Sequence, residues 1–226
     1  MLSGNHWRRQ RGNSKNISEN TCTKQLVFLR ILKDLMSSER RKAPCITNLR
    51  KEDAGMKPIT IYTANCRENP LNNRYPNRHV IANVDDLKAA ACYDQVFAQY
   101  RNNHRAKADF ITSDCLPFDC DNDHSENPED WKAAADMEKA FPGVPFYLVY
   151  SRHHMKQKDS YSPRPRFHII FPIDPVTNSD EYSRLKDSVI AFFPYLDTNA
   201  KDAARFFFGV KNPVVEYRGG AEDESE

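Results

Sequence analysis

Two aspartates stand two residues apart directly after an apolar stretch, in the segment FDCDND at residues 118–123. If this segment is a strand, its side chains alternate between two faces, and Asp119 and Asp121 share one face. Paired carboxylates of this kind can hold one hard divalent ion, or two ions about 3.5–4 Å apart. The alternative is a turn, because Asp and Asn side chains hydrogen-bond to nearby backbone groups. The pattern leaves both possibilities open.

A second candidate group lies on the apolar segment RFHIIFPI at residues 166–173. Strand alternation places its phenylalanines in the core and Arg166 and His168 together on the other face. A guanidinium grips phosphate with two parallel hydrogen bonds, and an imidazole beside it donates another, so this pair suits an anionic ligand. The alternative is an Arg and a His that face solvent on an edge strand.

A third acid follows in the segment LDTNAKDAAR at residues 196–205. Asp197 comes after a predicted helix and a break at Pro194, so it could project from the end of an element into a cleft. Asp202 and Arg205 are three residues apart, and this spacing predicts a pair on one helical face. Asp197 is therefore the better candidate for a metal ligand.

The fourth candidate is the basic loop SRHHMKQK at residues 151–158, whose charge suits a triphosphate or a nucleic-acid backbone. A charged hairpin loop without a ligand is the alternative. Two close acids, a distant third acid and a strand-borne Arg-x-His together match two-metal phosphoryl transfer, in which one ion activates a 3′-hydroxyl and the other neutralises pyrophosphate. No G-x-x-x-x-G-K-[ST] and no G-x-S-x-G is present, which excludes a P-loop ATPase and a nucleophile-elbow hydrolase.

The elements that must position these residues follow from hydrophobic periodicity. The sequence predicts an α+β fold, a sheet with helices packed on one face, in which two strong strands form an antiparallel hairpin. The predicted strands are 59–63, the pieces 110–111 and 116–120, the hairpin strands 144–150 and 166–173, and 205–210. The predicted helices are 85–100, a helix opened by Asn127 and ending near Pro142, and 178–193. A loop is predicted at 65–79, and a short turn or helix at 197–204.

Composition sets the class of protein. With 226 residues, 39% of them hydrophobic, the chain can bury a core in one or two domains. Residues 1–57 carry a net charge of +8 and the remainder −6, which suits a partner that is a polyanion. We find no apolar run long enough to span a bilayer and no secretory signal. Six scattered cysteines without a C-x-x-C pair predict free thiols in a reduced, cytoplasmic compartment, and Cys115, Cys120 and His124 match no common zinc spacing.

The order of these segments resembles the three motifs of the archaeo-eukaryotic primase superfamily: FDCD at 118–121, RFHIIF at 166–171 and LD at 196–197. The longer strings DCDNDHSENPEDW, YSRHHMK, PRPRFHIIFPI and DTNAKDAARFFFG resemble primase–polymerase domains from phages, plasmids and other mobile elements of bacteria. The resemblance covers roughly residues 57–217. It departs from the family at Arg166, where the second motif often has a small residue.

The resemblance implies an α+β catalytic domain of two packed α/β modules, one of them RRM-like, with mixed or antiparallel sheets and an active-site cleft between them. The resemblance covers the catalytic domain (57–217), whereas composition predicts a basic arm with one helix before it (1–56) and a disordered acidic tail after it (218–226). By the same resemblance, Asp119, Asp121 and Asp197 bind two Mg²⁺ or Mn²⁺ ions, and His168 binds the triphosphate of the incoming nucleotide. The residues implied to assist His168 are Arg166, Arg205, Ser151 and Arg152.

The resemblance implies a DNA primase and DNA polymerase that uses nucleoside triphosphates, a single-stranded DNA template and a primer. No association with a membrane is expected. A replicative helicase on a separate chain is a further implied partner. Two alternatives stay open. A relaxase-like initiator needs a His-hydrophobic-His pair, whereas His153 and His154 are adjacent. A catalytically inactive RRM-like module would bind single strands through exposed aromatic residues.

Overall fold

The computed structural model of this protein describes residues 57–218. The predictions for the basic arm, including its helix at residues 21–37, and for the tail beyond residue 218 lie outside the described residues. Arg218, which the sequence assigned to the start of the tail, is the last residue of a strand.

Nine strands and three α-helices make up the described chain. In chain order they are β1 (Ile59–Thr63), β2 (Asn77–Ile81), α1 (Val84–Ala90), β3 (Gln95–Val96), β4 (Gln99–Tyr100), β5 (Phe110–Cys120), α2 (Ala134–Ala140), β6 (Phe146–Tyr150), β7 (Phe167–Val176), α3 (Ser179–Phe192), β8 (Phe206–Phe207) and β9 (Val215–Arg218).

The strands form two antiparallel sheets, a smaller one in the order β2-β1-β3-β8 and a larger one in the order β4-β5-β7-β6-β9. The predicted hairpin of β6 and β7 is confirmed, with Tyr147 opposite Ile170. Because β7 lies in the middle of the larger sheet, the alternative that Arg166 and His168 belong to an edge strand is wrong. The two predicted pieces within β5 form one strand, with a register irregularity between Ser113 and Cys115.

The predicted helix at 85–100 is wrong in its second half, since α1 ends at Ala90 and the chain continues as β3 and β4. Val96 and Phe97 are consecutive, and their side chains are buried in different hydrophobic clusters. Alternation of this kind belongs to extended chain rather than to one helical stripe.

The two other predicted helices differ in outcome. Asn127 caps only one turn of 3₁₀-helix, and α2 begins later, at Ala134. The helix predicted at 178–193 is confirmed as α3, where the Asn178 side chain accepts hydrogen bonds from the amides of Asp180 and Glu181.

Both faces of the larger sheet are buried. One face packs against α2 and α3 in a cluster that contains Phe118, Phe171 and Val189. The other face packs against the smaller sheet, where Ile170 meets Ile61 in a second cluster. This two-sided burial explains why the β7 sequence is apolar almost throughout. Two packed antiparallel sheets with few helices agree with the predicted α+β class, and an RRM-like module stays a prediction.

Within the described range, no helix is long and apolar enough to cross a membrane. The four cysteines there are free thiols. Cys115 and Cys120 lie in different clusters, so they do not share a zinc site with His124.

Candidate active site

A cleft opens where the end of β5 and the start of β7 meet β8, and it encloses a cavity of about 170 Å³. Its lining combines acidic, basic and aromatic side chains from four separate segments. These residues are Asp119, Asp121, Ser151, Arg152, His153, Lys158, His168, Arg205, Phe206, Phe207 and Phe208.

Asp119 is the centre of the charge network. It lies directly opposite His168 in the pairing of β5 and β7, and its Oδ1 atom is 2.8 Å from His168 Nε2. Its other oxygen accepts a 2.8 Å hydrogen bond from Arg205 Nη2. Burial alone would raise the pKa of Asp119, but the charges and hydrogen bonds of His168 and Arg205 outweigh it and hold that pKa well below its usual range. Asp119 is therefore an ionised carboxylate although it is buried.

Asp197 reaches the same network from the segment after α3. It begins a 3₁₀ turn at residues 198–201, and its side chain accepts a hydrogen bond from the amide of Asn199. Its backbone amide donates a 2.9 Å hydrogen bond to the carbonyl of Asp119, and its Oδ2 atom is 3.4 Å from Arg205 Nη2. One guanidinium nitrogen thus bridges the first and third acids.

The predicted pair of Asp202 and Arg205 is wrong. Asp202 accepts a hydrogen bond from the amide of Ala204 instead. The 3₁₀ turn ends at Lys201, so the two residues do not share a helical face.

Asp121 lies just beyond the end of β5, before a turn at residues 123–124. The following Asn122 adopts a left-handed conformation with φ 57°, and its buried side chain hydrogen-bonds to the backbone of Lys132 and Pro165. Strand pairing thus ends at Cys120, and Asp121 still lines the same cavity as Asp119, as the prediction of a shared face expected. Asp121 Oδ2 is 2.5 Å from Lys158 Nζ.

Arg166 does not line the cavity, in contrast to its predicted contact with the nucleotide. Its side chain is fully buried; Nη2 is 3.0 Å from Asp123 Oδ1, and Nη1 donates to the carbonyl of Lys156. Arg166 Nε is also 3.9 Å from Asp121 Oδ1. The structure thus places Arg166 behind the acidic turn, where it supports that turn.

His168 is held from two sides. Its ring stacks on Phe207, with centroids 4.0 Å apart and an interplanar angle of 22°, and Asp119 accepts from its Nε2 atom. Among the described residues, three of the buried side-chain atoms without a hydrogen-bond partner belong to this network: Arg166 Nε, His168 Nδ1 and Arg205 Nε. Buried polar atoms without a partner are uncommon in folded proteins, and here three of them lie around the acids of the site.

The loop at 151–158 supplies the basic wall, as its composition suggested, through Ser151, Arg152, His153 and Lys158. Arg152 lies over the ring of Phe208 at 4.3 Å and pairs with Glu68. Sequence reasoning missed the three phenylalanines at 206–208, since that run indicates only a strand. It also did not single out Lys158, because nothing local distinguishes that lysine from Lys156.

The donor set of Asp119, Asp121 and Asp197 consists of the hard oxygen ligands that Mg²⁺ and Mn²⁺ prefer. As they stand, however, no three His, Cys, Asp or Glu side chains within residues 57–218 are arranged to hold a metal ion. The reason is visible in the contacts, because each of the three carboxylates is bonded to a basic side chain. A cation would therefore enter by exchange with Lys158 or Arg205.

Among solved structures, this chain is similar to the AEP domain (PP-N190) of the cyanophage S-2L primase-polymerase (PrimPol), with a TM-score of 0.39 and 12% sequence identity, covering 74% of this chain and 84% of that chain. No family model and no curated protein matches the chain.

Proposed function

We propose that this protein is a template-directed nucleotidyltransferase, a DNA primase–polymerase that joins nucleoside triphosphates to a 3′-hydroxyl in the replication of DNA, in particular that of a mobile element. One observation carries the proposal. Asp119 and Asp121, at the end of β5, lie with His168 and Arg205 in one cleft, and Arg205 joins Asp119 to Asp197 from the segment after α3. Acids ringed by basic groups are what a site needs if it binds both divalent cations and a triphosphate.

In this proposal Asp119, Asp121 and Asp197 hold two Mg²⁺ or Mn²⁺ ions. When bound, the ions supply activation of the 3′-hydroxyl and neutralisation of the leaving pyrophosphate. The chain needs no side-chain general base. Its own contribution is position: Asp119 is kept ionised, and Asp197 is tied to the Asp119 carbonyl by its backbone amide.

The basic residues of the cleft would hold the triphosphate. His168 is oriented by Asp119 and Phe207, and the cavity wall presents Arg205, Ser151 and Arg152 to the same space. A guanidinium suits phosphate because it donates two parallel hydrogen bonds. We assign Arg166 an indirect role, since its buried side chain holds Asp123 instead. The proposed partners are a single-stranded DNA template, a primer and, on a separate chain, a replicative helicase.

The alternative is a catalytically inactive module that only binds single strands. It is favoured by the basic side chains that already occupy the carboxylates. It is disfavoured by the aromatic residues of β7, because Phe167 and Phe171 are buried in the core rather than displayed for stacking on bases. A binder of this kind would take up nucleic acid equally well with and without Mn²⁺.

A primer-extension assay tests the proposal. A labelled primer on a single-stranded template is incubated with dNTPs or NTPs and with Mg²⁺ or Mn²⁺, and a parallel reaction omits the primer. We expect metal-dependent extension that is abolished by Asp119→Ala with Asp121→Ala and kept by Asp187→Ala, which changes an exposed acid of α3 outside the cleft. Full extension by the double variant would rule the mechanism out.

A further inference from the structure

The acidic residues of the site are distributed over two neighbouring cavities. The first cavity, described above, contains Asp119 and Asp121. A second cavity of about 360 Å³ contains Asp121 and Asp197, together with Asp123. Asp121 and Lys158 line both cavities. The lysine therefore stands at the boundary between the two groups of acids.

Lys158 is paired with acids that are more exposed than the buried partner of Arg205. Its Nζ atom contacts Asp121 at 2.5 Å and Asp123 at 3.7 Å, and its side chain is 30% exposed. It is a single charge on a flexible stem, on the loop between β6 and β7, and such pairs contribute little net stability. Arg205 also contacts two carboxylates and is equally exposed, at 31%, but one of its partners, Asp119, is only 7% exposed, against 22% for Asp121. Lys158 can therefore leave its carboxylates at a smaller cost in free energy than Arg205 can.

We propose that Lys158 is a built-in counter-ion that competes with divalent cations for Asp121, and that its departure joins the two cavities so that Asp119, Asp121 and Asp197 face one space. The freed ammonium group stays beside Arg152 and His168, where it can bind the phosphates of a nucleotide. Lys158 thereby couples the entry of the cation to the binding of the triphosphate. This inference rests on the proposed function.

The test is a titration of the full chain with Mn²⁺ alone, followed by electron paramagnetic resonance of the free ion. Lys158→Met removes the charge and keeps the apolar stem. We expect it to bind Mn²⁺ about three- to tenfold more tightly than the unchanged chain, because a competing pair and a repulsive charge are both gone. Lys156→Met is the matched control, since that lysine lies on the same loop, is exposed and lines neither cavity. An equal or weaker affinity in Lys158→Met, including no detectable binding in either protein, overturns the inference.

Two further measurements sharpen the test. In an Asp121→Asn background, Lys158→Met should no longer tighten Mn²⁺ binding, because the contested carboxylate has been removed. With Mn²⁺ saturating, Lys158→Met should bind a non-hydrolysable nucleoside triphosphate more weakly, by about threefold or more. A lysine that serves only the fold would not change the two affinities in opposite directions.

The inference and the proposed function fail separately. If Lys158→Met tightens Mn²⁺ binding while the unchanged chain extends no primer, the counter-ion role stands and the polymerase proposal falls. If the chain extends primers and Lys158→Met leaves Mn²⁺ affinity unchanged, only the counter-ion role falls.

Discussion

The backbone amide of Asp197 donates a 2.9 Å hydrogen bond to the backbone carbonyl of Asp119. This bond ties the segment after α3 to the end of β5 without using either carboxylate. The position of the third acid therefore depends on this bond and on the cap that its Oδ1 atom makes with the amide of Asn199, while its Oδ2 atom faces Arg205. Substitutions such as Asp197→Asn, which keep the capping geometry of that turn, thus test the chemistry of the site rather than the fold.

Arg205→Met should destabilise the protein by about 2 kcal/mol at pH 7, because it removes the cation that two carboxylates share and leaves Asp119 buried with less compensation. The pKa of Asp119 lies below its ordinary value of 3.8, so the stability it contributes is present above that pH. It is lost as the pH falls through the folded-state pKa. Urea denaturation should show the variant to be less stable than the unchanged chain at pH 7 and pH 4. At pH 2.5 the difference in the free energy of unfolding should be smaller. A constant deficit would contradict this account.

His168→Gln should raise the KM for the incoming nucleotide about tenfold, the size expected when one charge-assisted hydrogen bond to a phosphate is lost. Mn²⁺ affinity without nucleotide should change much less, because the carboxylates stay in place. Steady-state extension kinetics and Mn²⁺ titration measure the two quantities. His104→Gln is the control, since that histidine pairs with Asp109 outside the cleft. If His104→Gln raises the KM equally, the role of His168 is refuted.

Arg166→Met should cost about 2 kcal/mol of stability, because it removes a fully buried guanidinium and leaves the partly buried Asp123 without its closest guanidinium partner. The double variant with Asp123→Asn should lose less than the two single variants combined, since they remove the same interaction. Chemical denaturation of the four proteins gives the coupling energy. Additive losses would show that Arg166 does not act through Asp123.

Lys186→Met should stabilise the protein at pH 7 by about 2 kcal/mol. The lysine is fully buried in α3, and burial lowers its pKa to about 7 despite the opposing charge of Asp202. Between pH 7 and its ordinary value of 10.5, the unfolded chain therefore binds more protons at this lysine than the folded chain. The free energy of unfolding therefore rises with pH across that range. Below the range, the protein bears the full cost of burying the charged lysine.

Denaturation at pH 7 and 9.5 measures this difference. The advantage of Lys186→Met should shrink at the higher pH, where the unchanged chain has recovered part of the cost. An advantage that is the same at both values would contradict the assignment, as would a variant less stable at pH 7.

Local patterns determined much of the fold. The strand at 59–63 and the centre of the β6–β7 hairpin follow from apolar β-forming runs, and α3 follows from its stripe and from Asn178. These signals are local, since burial periodicity and capping depend on residues a few positions apart. The sequence did not reveal the edge strands β2, β4 and β9, nor β3, an inner strand of two residues. Short edge strands of mixed polarity gain their stability from a partner strand, and that partner is not visible locally.

The order of the acidic and histidine motifs was likewise predicted from the sequence, but the side chains with which they pair depend on the tertiary structure. The register of β5 against β7 puts Asp119 opposite His168, and a 3₁₀ turn in place of a helix takes Arg205 away from Asp202. Burial turned Arg166 inward, and a loop brought Lys158 to Asp121. Charge pairing depends on distances of a few ångströms between segments far apart in the chain. Residue types and spacing therefore identified the candidate acids, and only the tertiary structure determined which basic side chain pairs with each of them.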